Sequence, residues 1–214
     1  MSQLKHILTS TALEPIQKTL TRFKRDRSGV AALEFALIAP IMIAMYFGIA
    51  EISHAISIDR KVSHATNVAG DLATQITQLE TDDVKEVMVA TLKVLSIADS
   101  QNVNIELASY DLDPSNNPRL LGKANLNSGS QPFKAFDPSS LDSRILSQDS
   151  GIIVARIAYN FEPLQVRYFD SNVNLRETFM FKPRQSEKVQ IGANIGDQVT
   201  CTSSGYDTVT CTGP

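Results

Sequence analysis

The chain has 214 residues, of which 43% are hydrophobic and 20% charged, and its net charge at pH 7 is -3. No basic stripe runs along its later part, so its charge gives no indication of nucleic-acid binding. The sequence shows no Ser/His/Asp arrangement, no Gly-rich phosphate loop and no metal-ligand spacing of His or Cys. We therefore expect a protein that is not an enzyme and that holds no metal or cofactor.

The first two segments are a basic leader, residues 1–29, and an apolar stretch, residues 30–50. A bilayer core needs about 20 apolar residues of helix, and residues 30–50 have that length. Positive flanks stay on the cytoplasmic side of a membrane. We therefore expect a cytoplasmic leader, a transmembrane helix and residues 51–214 beyond it. The charged residues of the leader are Lys5, Lys18, Arg22, Lys24, Arg25 and Arg27 against Glu14 and Asp26.

One carboxylate, Glu34, lies inside the apolar stretch, at the fifth position after Gly29. An ionisable side chain in a membrane helix costs about 2.5–3.5 kcal/mol at the bilayer centre and less near the edge, and it normally serves a function. The sequence Gly29-Val30-Ala31-Ala32-Leu33-Glu34-Phe35 resembles a prepilin cleavage motif. Together with its basic flank and the apolar run to Pro40, it resembles the TadE-like pseudopilin family of Tad (Flp, type IV-like) pilus assembly systems.

The resemblance implies a pseudopilin, a minor pilin-like component that is needed for biogenesis of a Tad/Flp pilus, for adhesion and for surface colonisation. It implies cleavage between Gly29 and Val30 by a prepilin peptidase. It also implies that Glu34, next to Phe35, pairs with the N-terminal amine of a neighbouring subunit during assembly.

The resemblance also implies partners and a location. The partners are the prepilin peptidase, an inner-membrane assembly platform with its cytoplasmic ATPase motor, the major Flp pilin, other pseudopilins and membrane lipid. The location is the bacterial inner membrane, crossed once, with the C-terminal domain in the periplasm and export or pilus association after processing.

Other interpretations of this region stay open. The protein could keep residues 1–29 and act as a signal-anchored periplasmic interaction or scaffold protein outside any filament. A secretory signal could end at Gly48-Ile49-Ala50, before Glu51, although its apolar run would exceed the usual 7–15 residues. Glu34 could also simply reach the lipid headgroups. No Cys lies near the end of the apolar stretch, which excludes a lipoprotein.

Small or compact residues recur at every fourth position of the apolar stretch. Such a ridge lets helices approach closely in lipid, although the abundance of Ala in membrane helices explains it equally well. Proline within the ridge removes a backbone hydrogen bond and is expected to bend or loosen the helix. The ridge residues are Ala32, Ala36, Pro40, Ala44 and Gly48.

The helical period continues past the membrane segment, with apolar residues spaced alternately by three and four. It predicts a stalk helix over residues 51–80 that is either free-standing or folded onto its own domain. Gly70 lies within it and is a candidate flex point, because Gly costs about 1 kcal/mol in a helix. The seam residues are Ala55, Ile58, Val62, Ala65, Ala69, Leu72, Ile76 and Leu79.

Residues 81–214 are expected to form a periplasmic head, so the fold class is α+β: a long N-terminal helix, then a small helix and an antiparallel sheet. Asp83 and Glu86 predict the start of a second helix that runs to about Ala98. Residues 113–150 are interpreted as a long polar insertion. Alternating patterns predict strands over residues 103–107, 153–161 and 175–181, and a short one near 133–136.

The only two cysteines, Cys201 and Cys211, lie at matched positions on either side of a Gly-containing turn at Gly205. This pattern predicts a terminal β-hairpin. In an oxidising compartment the two are expected to form a disulfide, which stabilises by about 2–3 kcal/mol on the loop-entropy model. The alternatives are a metal site or reactive thiols, and the lack of a His or acidic cluster beside the two cysteines argues against metal.

Overall fold

The structure is a computed structural model that describes residues 28–96, 102–127, 133–140, 145–163, 173–205 and 207–213. The chain divides into two compact units, Met1–Ala50 and Glu51–Pro214. The expected leader lies outside the described residues up to residue 27.

The described part of the first unit is helical and belongs to helix α1, Ser28–Thr74, which continues through Pro40. Its large apolar side chains, from Val30 to Ile49, are between 40% and 70% exposed. A helix that is apolar on all sides is either buried or surrounded by lipid, and the described residues of the first unit do not bury this one. The predicted long N-terminal helix is confirmed.

The second unit is built on a six-stranded sheet with strand order β5-β4-β2-β3-β7-β8. Neighbouring strands are antiparallel except for β3 and β7, which are parallel. The α+β prediction is therefore confirmed, with a mostly antiparallel sheet. The elements are β1 Gln78–Leu79, α2 Thr81–Leu95, β2 Val103–Leu112, β3 Pro118–Asn127, a 3₁₀ turn at Pro138–Ser140, β4 Ile152–Phe161, β5 Val173–Phe181, β6 Gln190–Ile191, β7 Asp197–Ser203 and β8 Val209–Thr212.

One face of the sheet joins the second half of helix α1 and helix α2 in a single hydrophobic core. Helix α1 contributes mainly small residues to it, including Ala65, Ala69 and Ala73, which are fully buried. Gly70 belongs to the same contact, because a Cβ at that position would overlap the ring of Phe181 on β5. Gly70 is therefore needed for close packing against Phe181, and the structure gives it no role as a flex point.

The opposite face of the sheet is covered by irregular segments of the chain. Phe136 and Leu146 pack over Tyr110 in a second, smaller apolar cluster. The Arg156 guanidinium lies 4.7 Å from the ring centroid of Phe133, and it donates a 3.0 Å hydrogen bond to the carbonyl of Lys134. The expected short strand near residues 133–136 is wrong, because side-chain stacking on Arg156 holds this segment.

Helix α1 ends at Thr74, earlier than the predicted stalk helix over residues 51–80. The Thr74 carbonyl accepts a 3.1 Å hydrogen bond from the Arg184 amide, and strand β1 then pairs in parallel with β6. Leu79 is fully buried, as the helical seam required, but it lies in strand β1. Long-range backbone pairing therefore replaces the last expected turns of helix.

The boundaries of helix α2 differ from those predicted. Its N-cap is Glu80, which forms a capping box with Asp83, so the helix begins before the expected Asp83–Glu86 start. It ends at Leu95, where Ser96 adopts a left-handed conformation with φ 42°. The expected end near Ala98 lies outside the described residues.

The expected polar insertion over residues 113–150 is wrong in its first part, because strand β3 lies there. Its pairing with β2 shifts register between Ser109 and Tyr110, which face Gly122 and Leu120. Leu121 is thus the extra residue of a β-bulge, and the regular alternation of a strand is interrupted there.

The terminal hairpin is formed by β7 and β8, and the expected disulfide is present between Cys201 and Cys211. The two residues face each other directly, with a Cα–Cα distance of 4.0 Å. Cys201 is fully buried in the main core, and Cys211 packs against it.

Candidate functional site

The predicted cleavage site lies in the first turn of helix α1, which begins at Ser28. Gly29 and Val30 are both exposed, and a Cβ at Gly29 would meet nothing within 4 Å. Among the described residues 28–50 no side chain covers the bond between Gly29 and Val30, and Val30 already has helical geometry.

Glu34 is exposed one turn after Val30, and Phe35 next to it is 69% exposed. Residues four apart on a helix have Cβ atoms about 5–6 Å apart, and their side chains lean towards the N-terminus. The Glu34 carboxylate therefore shares a helix face with Val30 and can accept hydrogen bonds from a cation placed there.

The small-residue ridge of helix α1 lies on the exposed part of the helix, where Ala44 and Gly48 are only partly covered. Four residues advance slightly more than one turn, so the ridge rotates by about 40° at each step. A straight neighbouring helix would therefore touch only part of it, and a helix crossing at an angle would follow it further.

The environment of helix α1 changes where the second unit begins. Glu51 is only 7% exposed, and from Ile58 onwards one face of the helix enters the core. His54 and His64 are exposed, and the His54 ring lies 5.5 Å from that of Phe161. Within the described residues no group of His, Cys, Asp and Glu is arranged to hold a metal ion.

Two buried carboxylates, Glu106 and Asp111, are held by cations, although neither stands out in the sequence. Glu106 pairs with Lys123 at 2.7 Å and with Arg156, its partner across β2 and β4. Glu106 and Arg156 lie opposite each other in neighbouring strands, and this pairing can be recognised only once the strand register is known.

The second carboxylate is Asp111, whose side chain is fully buried. It pairs with Arg119 at 2.6 Å and with Lys188 at 2.9 Å. Burial alone would raise the pKa of Asp111, but hydrogen bonds from the two cations outweigh it and hold that pKa below its usual value. Both carboxylates are fully engaged with cations of their own fold, so we assign them to stability.

Helix Gly29–Thr74 is the one helix among the described residues that is long and apolar enough to cross a membrane, with a mean hydropathy of 2.1 in its most apolar window. This property supports membrane anchoring through the N-terminal helix. It depends on length and composition, and it does not by itself define the orientation of the chain.

No curated protein and no solved structure matches the chain. A family model does match, over residues 29–71, which make up about a fifth of the sequence. The matched segment begins at Gly29, includes Glu34 and the small-residue ridge, and continues into the buried part of helix α1. The model is that of the TadE-like protein family, so residues 29–71 form a TadE-like segment, in agreement with the motif at Gly29 and Glu34.

Proposed function

We propose that this protein is a pilus assembly pseudopilin: a minor, non-enzymatic, pilin-like component of a Tad/Flp pilus, needed for its biogenesis and so for adhesion and surface colonisation. The observation that carries the proposal is the match of residues 29–71 to the TadE-like family, which coincides with an exposed apolar helix.

The first step of the proposed mechanism is cleavage by a prepilin peptidase between Gly29 and Val30. The exposure of both residues supports it, as does the lack of contacts to a Cβ at Gly29 from other described residues, because the peptidase must reach this peptide bond. Gly at the first position of the bond also leaves no side chain for the peptidase to accommodate. Cleavage leaves a free α-amine on Val30.

The second step is pairing of the Glu34 carboxylate with the Val30 amine of a neighbouring subunit. A charged group among apolar neighbours is stabilised by an opposite charge, and the exposed position of Glu34 leaves it accessible to one. Because Val30 and Glu34 lie on one face, a subunit displaced along the helix axis by about one turn would bring amine and carboxylate together. The ridge from Ala32 to Gly48, exposed up to Pro40 and partly covered beyond it, supplies the surface for helix–helix packing.

The proposed location is the bacterial inner membrane, with the N-terminus in the cytoplasm and the second unit in the periplasm. The basic residues that precede Gly29 support this orientation. The proposed partners are the peptidase, the inner-membrane platform and its motor, the major pilin, other pseudopilins and lipid.

The first test is the N-terminal residue of the protein recovered from native envelopes, with and without an active prepilin peptidase. We expect Val30 when the peptidase is active and a longer chain when it is not. Retention of residues 1–29 in both strains would favour the alternative, a signal-anchored periplasmic scaffold protein. A start at Glu51 would indicate a secretory signal.

The second test separates processing from assembly. Glu34→Ala is expected to leave the protein processed and in the membrane but to reduce pilus formation. Glu34→Asp, which keeps the carboxylate, and Glu86→Ala, which removes an exposed carboxylate of helix α2, are the matched controls. Normal pilus numbers in Glu34→Ala cells would remove Glu34 from the assembly mechanism.

A further inference from the structure

An apolar cavity of about 130 Å³ lies in the second unit, between helix α1 and the adjoining ends of strands β4 and β5. Ile52, Ala55 and Ile56 line it on the helix. Phe161, Pro163 and Val173 line it on the sheet. The cavity therefore joins side chains that are distant in sequence.

The rim of this cavity is exposed although it is apolar. Ile52 is 53% exposed, Ile56 49% and Val173 39%. Among the described residues from Glu51 onwards, the other exposed large apolar side chains, Ile145, Met180 and Ile195, do not line it. Exposed apolar residues grouped around one apolar opening, in contrast to scattered single ones, are a candidate contact surface.

We propose that this rim contacts the interfacial layer of the lipid bilayer. This inference rests on the membrane anchoring of helix α1 proposed above. The rim consists of Ile52, Ile56 and Val173.

The position of the rim along helix α1 supports lipid as the occupant. Each residue advances an α-helix by 1.5 Å, so Ile52 lies about 3 Å and Ile56 about 9 Å beyond Ala50, the last residue of the apolar stretch. The headgroup layer adds about 5–8 Å on each side of the hydrocarbon core. A modest tilt of the helix brings both isoleucines within that layer.

The size and charge of the rim also favour lipid over a second copy of the chain. A stable protein–protein interface covers about 800 Å² on each partner, and three side chains around a small cavity supply much less. Lipid needs no such area, because the apolar stretch already holds the helix in the membrane. Glu51 also lines the cavity but is almost fully buried, so its carboxylate is not on the exposed rim.

The test uses tryptophan fluorescence of the full chain in lipid vesicles, because the native sequence contains no Trp. Ile56→Trp and Val173→Trp each place one indole on the rim. Vesicles whose lipids carry bromine near the headgroups quench an indole only when it touches the bilayer. We expect both variants to lose fluorescence in brominated vesicles relative to unbrominated ones, and their emission to shift to shorter wavelength.

Met180→Trp is the matched control, since Met180 lies on the same strand as Val173 and is similarly exposed at 44%. Indole itself prefers membrane interfaces, and the comparison of the two variants removes that preference. Met180→Trp should not be quenched. Formation of the native disulfide checks that each variant has folded. If Val173→Trp fails this check, Ile52→Trp replaces it as the second rim variant.

Ile41→Trp, in the apolar stretch, distinguishes failure of this inference from failure of the anchoring that it assumes. If Ile41→Trp is quenched by lipids brominated in their chains while the rim variants behave like Met180→Trp, the rim does not contact lipid and the inference is wrong. If the rim emission instead changes with the ratio of protein to lipid, a second copy covers the rim, which also overturns it. If Ile41→Trp is not quenched, membrane anchoring itself is wrong.

Discussion

Gly70 lies where helix α1 packs against the end of strand β5, and its missing side chain makes room for the Phe181 ring. We expect Gly70→Ala to destabilise the second unit by about 1 kcal/mol, because overpacking at about 1–3 kcal/mol exceeds the gain in helix propensity. A larger side chain such as Leu should cost more. Thermal unfolding of the full chain in detergent measures the effect.

Gly48→Ala is the control for Gly70→Ala, because a Cβ at Gly48 would meet nothing within 4 Å on the same helix. It should leave the unfolding temperature unchanged or raise it slightly. A Gly70→Ala protein as stable as wild type would mean that Phe181 moves away without loss and that close packing there contributes little.

Asp111 ties strand β2 to Arg119 on β3 and to Lys188, which precedes β6. Its folded pKa is lowered, so its contribution to stability is present above about pH 4, the unfolded value, and is lost as the pH falls through the folded pKa. We expect Asp111→Asn to reduce the unfolding free energy by about 1–2 kcal/mol at neutral pH, a figure that allows for the partial exposure of both cations. The difference from wild type should shrink below about pH 4.

Denaturant unfolding at a series of pH values measures the effect of Asp111→Asn. Asp207→Asn serves for comparison, since Asp207 pairs with Lys93 at the surface, where both side chains are more than half exposed. That variant should change stability little at any pH. A constant gap between Asp111→Asn and wild type across the acid range would show that the Asp111 charge is not the cause.

The disulfide acts on a whole element, because it fixes strand β8 at the edge of the sheet through β7. We expect replacement of both Cys201 and Cys211 by Ala to lower the unfolding free energy by about 2–3 kcal/mol, the loop-entropy value for a loop of this size. Wild-type protein treated with dithiothreitol should lose the same amount. A further loss when the double variant is treated with dithiothreitol would indicate that the reductant acts elsewhere.

Elements whose pattern is local could be predicted from the sequence, and elements defined by distant partners could not. Strands β2 and β4 and the terminal hairpin show alternation or matched positions in their own residues. The end of helix α1 depends on Arg184 and on the pairing of β1 with β6, more than a hundred residues later. Strand β3 was missed because Gly122 and the bulge at Leu121 interrupt its alternation.

The residues of the candidate site also differ in whether the sequence alone could predict them. Gly29 and Glu34 are close in sequence, so their motif was visible without a structure. The apolar rim is formed by Ile52 and Ile56 on a helix and Val173 on a strand, and no pattern along the chain connects them. Glu106 and Arg156 face each other only through the register of β2 and β4.

At the scale of the whole molecule, the boundary between Ala50 and Glu51 predicts which fragments fold. Residues 51–214 contain every residue of the main core, so we expect this fragment to fold and to form its disulfide. Residues 75–214 lack Ile58, Val62 and the buried alanines of helix α1, and they should aggregate or remain unfolded. Circular dichroism and thiol titration of the two fragments measure this.

If residues 51–214 fail to fold while the full chain is folded in detergent, the apolar stretch stabilises the second unit directly. If residues 75–214 fold as well as residues 51–214, the buried face of helix α1 is dispensable. Either result would contradict the division of helix α1 into an exposed first part and a second part that belongs to the core.

The parallel pairing of β3 with β7 has a consequence for biosynthesis. Residues 197–212, which form β7 and β8, are synthesised after the other strands of the sheet. Strand β3 therefore has an unpaired edge until the terminal hairpin is made. An open edge strand is a site for mispairing with other chains. A released chain that ends near residue 196 should therefore be prone to aggregation and to degradation, whereas a released chain that includes residues 197–212 can close its sheet. The terminal hairpin thus protects strand β3 from pairing with other chains.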